Sequence, residues 1–140
     1  PSKTVPQGIS ALLSLNLNES MKENLKKAGK AVRSVKTGEV TFAARNGKFG
    51  KHVMREGDII GLVDGKVEAV GQDSGEVLEK IVARMVGKND AVVTVYYGQD
   101  IDTSVAESLP GMLESHLAGD CEIEVYRGGQ PLYYYIVSVE

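Results

Sequence analysis

The sequence predicts a mixed α/β (α+β) domain, a mixed sheet of about six strands covered by about four helices, in one compact unit spanning residues 1–140. Three observations predict it. Apolar residues at three- and four-residue steps mingle along the whole chain with short β-branched runs, so strands and helices are interspersed. A length of 140 residues, 42% hydrophobic and 25% charged, fits one globular domain able to bury a core. No internal repeat, low-complexity tract or flexible linker divides the chain.

Pro6-Gln7-Gly8 introduces Ile9, Leu12, Leu13 and Leu17, whose spacing predicts a short helix with one buried side. After a break from Asn16 to Ser20, Met21, Leu25, Ala28, Val32 and Val35 recur at helical steps, with Lys22, Lys26, Lys30 and Arg33 on the other side. Thr37-Gly38 is expected to end this second helix. Val40 to Ala44 reads as a strand, and Asn46 to Gly50 as a turn-rich loop. Ile59 to Val63 and Lys66 to Val70 flank Asp64-Gly65, a dipeptide that tolerates positive φ at both positions and predicts a tight hairpin with a primed turn.

Ser74 is the expected cap of a helix carrying Val77, Leu78, Ile81, Val82, Met85 and Val86, stopped at Gly87. Ala91 to Tyr97 is a strand rich in β-branched and aromatic residues. Asp102 or Thr103 starts the next helix, with Val105, Leu109, Leu113 and Leu117 inward, and Pro110-Gly111 is expected to kink or split it. The chain finishes with a strand from Glu122 to Tyr126, a turn through Arg127-Gly128-Gly129-Gln130-Pro131, and a strand from Leu132 to Val139.

Composition excludes several classes. No apolar run approaches the roughly 18 residues of a membrane span. No charged-then-apolar leader is present, and the single Cys121 forms no internal bridge, so a reducing cytoplasm is the expected compartment. Pro1 in place of Met predicts a piece of a longer polypeptide. Charge is uneven: residues 1–55 hold 11 basic residues against three acids, a balance of +8, and the remainder balances at −11. Internal complementarity and a solvated surface explain this, since a pI near 5.5 is far from that of domains gripping nucleic acid.

Signatures of catalysis are missing. The sequence has no phosphate-binding loop, dinucleotide fingerprint or nucleophile elbow, and Cys121, His52 and His116 lack metal-ligand spacing. His116 sits beside the apolar stripe of its helix, a core-boundary position. Cys121 alternates with Ile123 and Val125 and reads as a packing residue, while Glu122 and Glu124 share the opposite face of that strand. Gly47-Lys48-Phe49-Gly50 has the outline of a nucleic-acid-clamping GXXG loop but does not join two helices. Two segments stand out. Tyr96-Tyr97-Gly98-Gln99-Asp100 lies between a strand and a helix start, where α/β folds collect ligand contacts. Tyr126-Arg127-Gly128-Gly129-Gln130-Pro131 places Arg and Tyr, residue types enriched at interfaces, around a glycine pair.

Pro6-Gln7-Gly8, Lys36-Thr37-Gly38-Glu39-Val40-Thr41 with Ala44-Arg45, Glu56-Gly57-Asp58-Ile59-Ile60-Gly61, Tyr97-Gly98-Gln99-Asp100, and the closing segment from Glu124 through Tyr126-Arg127-Gly128-Gly129-Gln130-Pro131-Leu132-Tyr133 to Glu140 occur in this order. Together they resemble, over nearly the whole chain, the C-terminal region of the ATP-binding subunit of bacterial fatty acid kinase, a dihydroxyacetone-kinase-like, DegV-associated family. The resemblance implies that an N-terminal domain of the longer protein holds ATP and magnesium, a middle domain contributes to catalysis, and the C-terminal region docks a separate fatty-acid-binding subunit. The assembled enzyme phosphorylates the fatty acid carboxylate to an acyl phosphate for phospholipid synthesis. For this chain it implies no catalytic, cofactor or metal residue, a partner surface at Arg45, Tyr97, Arg127, Gly128, Gly129 and Gln130, and no nucleic acid or membrane insertion. A homodimer through the longer protein stays open. The basic helix around Lys26, Lys30 and Arg33 is a second candidate surface. The family's C-terminal region is longer than this chain, so a sub-domain upstream of Pro1 is expected. Two rival readings stay open: a self-contained small-molecule enzyme, which needs Glu122, Glu124 and His116 in one cleft, and a nucleic-acid-binding module.

Overall fold

Alternating apolar residues and tight turns assemble most of the chain around one sheet. The computed structural model describes residues 1–117 and 120–140. It runs α1 (Val5–Leu13), α2 (Met21–Ser34), β1 (Lys36–Phe42), β2 (Gly47–Phe49), β3 (His52–Met54), β4 (Ile59–Val63), β5 (Lys66–Gly71), α3 (Ser74–Met85), β6 (Val92–Tyr97), α4 (Thr103–Glu114), β7 (Glu122–Arg127) and β8 (Tyr133–Val139). Six strands form a mixed sheet in the order β5-β4-β1-β8-β6-β7, and β2-β3 form a separate ribbon. Only β6 and β7 pair in parallel, joined through α4 as a βαβ unit. The final strand, β8, lies between β1 and β6 and so ties the two halves of the sheet together.

The core lies on the sheet face covered by α3 and α4. Val77, Leu78, Ile81, Val82 and Met85 of α3 and Leu109 and Leu113 of α4 pack on Val40, Val93, Val95, Tyr135, Val137 and Val139. Two strand glycines let α3 approach. A Cβ on Gly61 would stand 2.5 Å from the Ile81 Cγ2 and 2.8 Å from the Val77 Cγ1, and one on Gly38 would stand 2.6 Å from the Met85 sulfur. The other face is covered in two places. The β2-β3 ribbon brings Met54, with Ala43, onto Ile60, Leu62 and Val70. The α1-α2 hairpin meets the sheet through buried Pro6 and a 2.8 Å hydroxyl pair between Thr4 and Thr37.

The Asp64-Gly65 turn is as predicted, with φ of 49° and 81°. Several expectations need correction. Thr37-Gly38 does not end α2, which stops at Ser34; both residues belong to β1, where Thr37 N–H donates to Asp64 Oδ1 at 3.0 Å and Gly38 makes room for Met85. The residues 46–50 are not only loop, because Gly47–Phe49 is a strand of the ribbon. Asp73, not Ser74, caps α3 by accepting from Glu76 N–H at 2.9 Å. Of the expected kink or split at Pro110-Gly111, the split does not occur, because the missing donor is the partner of the Ala106 carbonyl alone and burial of Ala106, Leu109 and Leu113 holds the turn. The inward phase of α4 accordingly begins at Ala106, leaving Val105 exposed. The largest departure concerns α1 and α2. No residue of α2 is buried, and Ile9, Leu12, Leu13, Leu17, Met21 and Leu25 are exposed.

Candidate functional site

Strand register gathers the predicted docking residues at one end of the sheet. Phe42 pairs with Ile59, Ile59 with Gly71, Thr41 with Tyr133, and Tyr97 with both Tyr135 and Arg127. The ends of β1, β5, β6 and β7 therefore lie beside the starts of β4 and β8, with the first turns of α3 and α4 next in the chain. This is the strand-end position where α/β sheets place their contacts.

At this end the two segments singled out by sequence are one structure. The glycine pair lies in the expected turn between two strands, yet β7 and β8 are not neighbours, because β6 runs between them. The link from Arg127 to Tyr133 is a crossover that arches over the end of β6. Gly128 and Gly129 N–H both donate to the Tyr97 carbonyl, at 3.0 and 3.1 Å. Gln99 N–H donates to the Gln130 carbonyl at 3.1 Å, and Gly98 N–H to the Tyr134 carbonyl at 2.8 Å. The Gln130 side-chain amide closes the arch by donating to the Tyr96 carbonyl at 2.9 Å. Gly98 is buried beneath this arch, and a Cβ there would collide with the Tyr133 carbonyl oxygen and stand 2.8 Å from that of Gln130.

The six predicted residues thus divide by role. Tyr97 packs against the core, Gly128 and Gln130 tie the crossover to β6, and Gly129 supplies a φ of 67°. Arg127 is exposed on the arch, and Arg45 is exposed beyond the end of β1. Three strand spacings, roughly 14 Å, separate β1, which leads to Arg45, from β7, which ends at Arg127.

Sequence reasoning missed Leu132, which it placed inside a strand. Leu132 adopts φ of 70° and is 63% exposed. The Tyr133 N–H donates to the Pro131 carbonyl at 2.8 Å across it, the pattern of a γ-turn with positive φ, which is strained for a side chain of this size. The Thr41 hydroxyl holds the turn by donating to the Leu132 carbonyl at 2.6 Å. Phe42 and Tyr133, 39% and 37% exposed, stand at the same end. Nearby, Asp58 accepts from Arg55 N–H at 2.8 Å and the Gln72 amide at 2.6 Å, and these bonds hold its carboxyl below the usual range.

The remaining candidates are dispersed. His116 follows α4 and faces α3, with its Nε2 3.5 Å from a Glu79 carboxylate oxygen. Glu122 and Glu124 face away from Ile123 and Val125, on the opposite side of β7, where Glu124 lines a shallow depression with Tyr96, Tyr126, Ile9 and Leu13. The cleft required of a self-contained enzyme built on these three groups is therefore not formed. Tyr96 and Tyr126 stack there at 6.1 Å between ring centroids. Burial raises the Tyr96 phenol, helped by the Glu124 and Glu140 charges; a hydrogen bond with Glu124, then its charge, raises that of Tyr126. Cys121 packs at the core margin with its thiol 3.0 Å from the Asp90 carbonyl oxygen. His52 belongs to the small ribbon, and Gly47-Lys48-Phe49-Gly50 is a strand and turn of that ribbon, not a link between helices. Among the described residues no group of three or more His, Cys, Asp or Glu side chains could hold a metal ion. No helix among them is long and apolar enough to cross a membrane.

These features define an α/β domain with an exposed strand-end surface, and its fold is shared with a fatty acid binding DegV family protein from Streptococcus agalactiae. The two agree with a TM-score of 0.53 at 13% identity, over 95% of this chain and 54% of that one. The C-terminal family of fatty acid kinase A-like subunits matches residues 1–140, and the chain belongs to that family. It is 36% identical over 140 residues to protein YloV of Bacillus subtilis (strain 168) and 31% identical over 140 residues to an uncharacterised protein of Staphylococcus aureus (strain USA300). The whole chain is covered in each case, but it spans about a quarter of the length of the curated relatives it matches, 25% of each.

Proposed function

We propose that this domain is the docking module of a fatty acid kinase, holding a separate fatty-acid-binding subunit so that the longer protein can phosphorylate the bound fatty acid. In that reaction the γ-phosphoryl group of ATP passes to a carboxylate oxygen, leaving ADP and an acyl phosphate, a precursor for phospholipid synthesis in the cytoplasm. ATP and magnesium belong to other parts of the longer protein. Phosphoryl transfer relies on alignment and charge neutralisation more than on covalent chemistry by the protein, so a domain that presents the acyl head group acts on rate without touching the reacting atoms.

One observation carries the reading. In a chain of this family, the segment from Tyr126 to Tyr133 forms a pinned arch that exposes Arg127 and a strained Leu132 beside Phe42 and Tyr133. Interface anchors are characteristically Arg and aromatic side chains set among apolar contacts. Calorimetric titration of the domain with a fatty-acid carrier protein, without ATP, tests it. Heat consistent with a one-to-one complex is expected, and Arg127→Ala should weaken binding about tenfold, equivalent to about 1.4 kcal/mol. A silent titration between well-folded partners, or binding indifferent to Arg127→Ala, would count against docking through this end.

A further inference from the structure

We propose that the exposed apolar face of the α1-α2 hairpin is an internal interface, covered in the longer proteins of this family by the part of the polypeptide that precedes this domain. Val5, Leu12, Leu13, Leu17, Met21 and Leu25 are 68–99% exposed on this one hairpin. Soluble proteins seldom leave so many large apolar side chains together in water unless something binds there. The helix design makes the exposure more pointed. At about 100° per residue, Met21, Leu25, Ala28 and Val32 fall within one stripe of α2, the pattern of a core-facing helix. Ser20 and Glu23 close a full capping box at its start, so the helix is built to be stable. Yet no residue of α2 is fully buried in this domain, and of the stripe only Ala28 and Val32 are even half-buried.

The occupant follows from length and order. The family is a C-terminal one, and the relatives that contain it are about four times as long as this chain, so most of their polypeptide lies before the matched region. The hairpin is the element of the domain nearest in sequence to that region. Lys22, Lys26, Lys30 and Arg33 lie on the opposite side of α2, so the covering surface should be apolar where it meets the stripe. This inference rests on family membership and on the exposed face; it stands or falls separately from docking at the Arg127 end.

Cysteine accessibility tests it. In a Cys121→Ser background, Leu12→Cys, Leu25→Cys and, as a remote reporter beyond α3, Lys88→Cys are each labelled with a maleimide. Each variant is made in two forms: the isolated domain, and a chain in which the part of YloV preceding its matched 140 residues is joined in front. Covering predicts labelling at least tenfold slower for Leu12→Cys and Leu25→Cys in the joined chain, with Lys88→Cys changed less than twofold. Equal rates in both forms, with one cooperative melting transition certifying that the joined chain is folded, would overturn the proposal. So would protection of the isolated domain that grows with its own concentration, which assigns the face to a second copy, or protection of the joined chain only by anionic phospholipid vesicles, which assigns it to a lipid surface.

Discussion

Replacing Gly98 with alanine puts a methyl group where the structure has backbone. The new Cβ meets the carbonyl oxygens of Tyr133 and Gln130, neither of which can swing aside as a side chain would. Relief requires the arch to lift from β6, which stretches Gly98 N–H to Tyr134 and Gln99 N–H to Gln130, now 2.8 and 3.1 Å. Overpacking of this kind costs about 2–3 kcal/mol. Two weakened hydrogen bonds add about 1 kcal/mol each. Lower entropy of the unfolded alanine chain returns about 0.7 kcal/mol. The expected loss is therefore about 3–4 kcal/mol, read as a fall of roughly 2 M in the urea midpoint for a slope near 1.5–2 kcal/mol per M. Gly111→Ala, in open space within α4, is the matched control and should gain up to about 1 kcal/mol. A Gly98→Ala midpoint within about 0.5 M of the parent would show that the crossover yields easily, and the view of it as a rigid arch would be wrong.

Leu132→Gly should leave stability unchanged or raise it by up to about 1 kcal/mol, because glycine relieves the positive φ that leucine bears, while weakening binding of the fatty-acid carrier about tenfold. Thermal melting paired with titration checks both halves. Asp90 gives a pH dependence. Burial alone would raise its carboxyl, but the Lys36 ammonium at 2.6 Å and Gly87 N–H at 2.6 Å outweigh burial and hold it below its ordinary value near 3.8. A carboxyl lowered on folding stabilises above its unfolded pKa and loses that contribution as pH falls through the folded one. Asp90→Asn should therefore cost about 1 kcal/mol at neutral pH, modest because Lys36 is 40% exposed, and the gap to the parent should close below about pH 4. Melts across this range that keep a constant gap would assign Asp90 a different role.

Where one short segment decides its own conformation, the sequence was sufficient. Asp64-Gly65 takes the turn its φ preferences demand, and the stripe of α3 from Val77 to Met85 has a single face to bury. Legibility failed where distant parts decide. Inserting β8 between β1 and β6 makes the expected turn between two strands a crossover, and nothing local to Arg127-Gly128-Gly129 specifies that insertion. Gly38 reads as a helix stop because its true reason, the approach of Met85, lies on another element. Leu132 reads as a strand residue because only the bond from Thr41 and the arch geometry impose its turn. For α1 and α2 the periodicity was right and the inference of burial was not, since the pattern specifies a face that expects a partner without saying whether this domain supplies it.

The two exposed regions differ in how firmly they are held, and that difference bears on what each can do. A surface that aligns a carrier for phosphoryl transfer has to be accurate to about 1 Å, since displacements of that size can cost on the order of a hundredfold in rate. The Arg127 end meets this requirement through construction: five hydrogen bonds fix the arch to β6, to Gln99 just beyond it and to β1, a sixth joins Gly98 to β8, and β8 is one of the two central strands, laid down on the buried core. The α1-α2 hairpin is attached through Pro6 and one hydroxyl pair, with its apolar stripe unspent. Such an element gains its order from whatever it packs against, so its orientation should become fixed only once its covering surface is present. A docking end set by the core and a hairpin set by its neighbour would let the longer protein join this domain to its other parts without disturbing the geometry offered to the carrier.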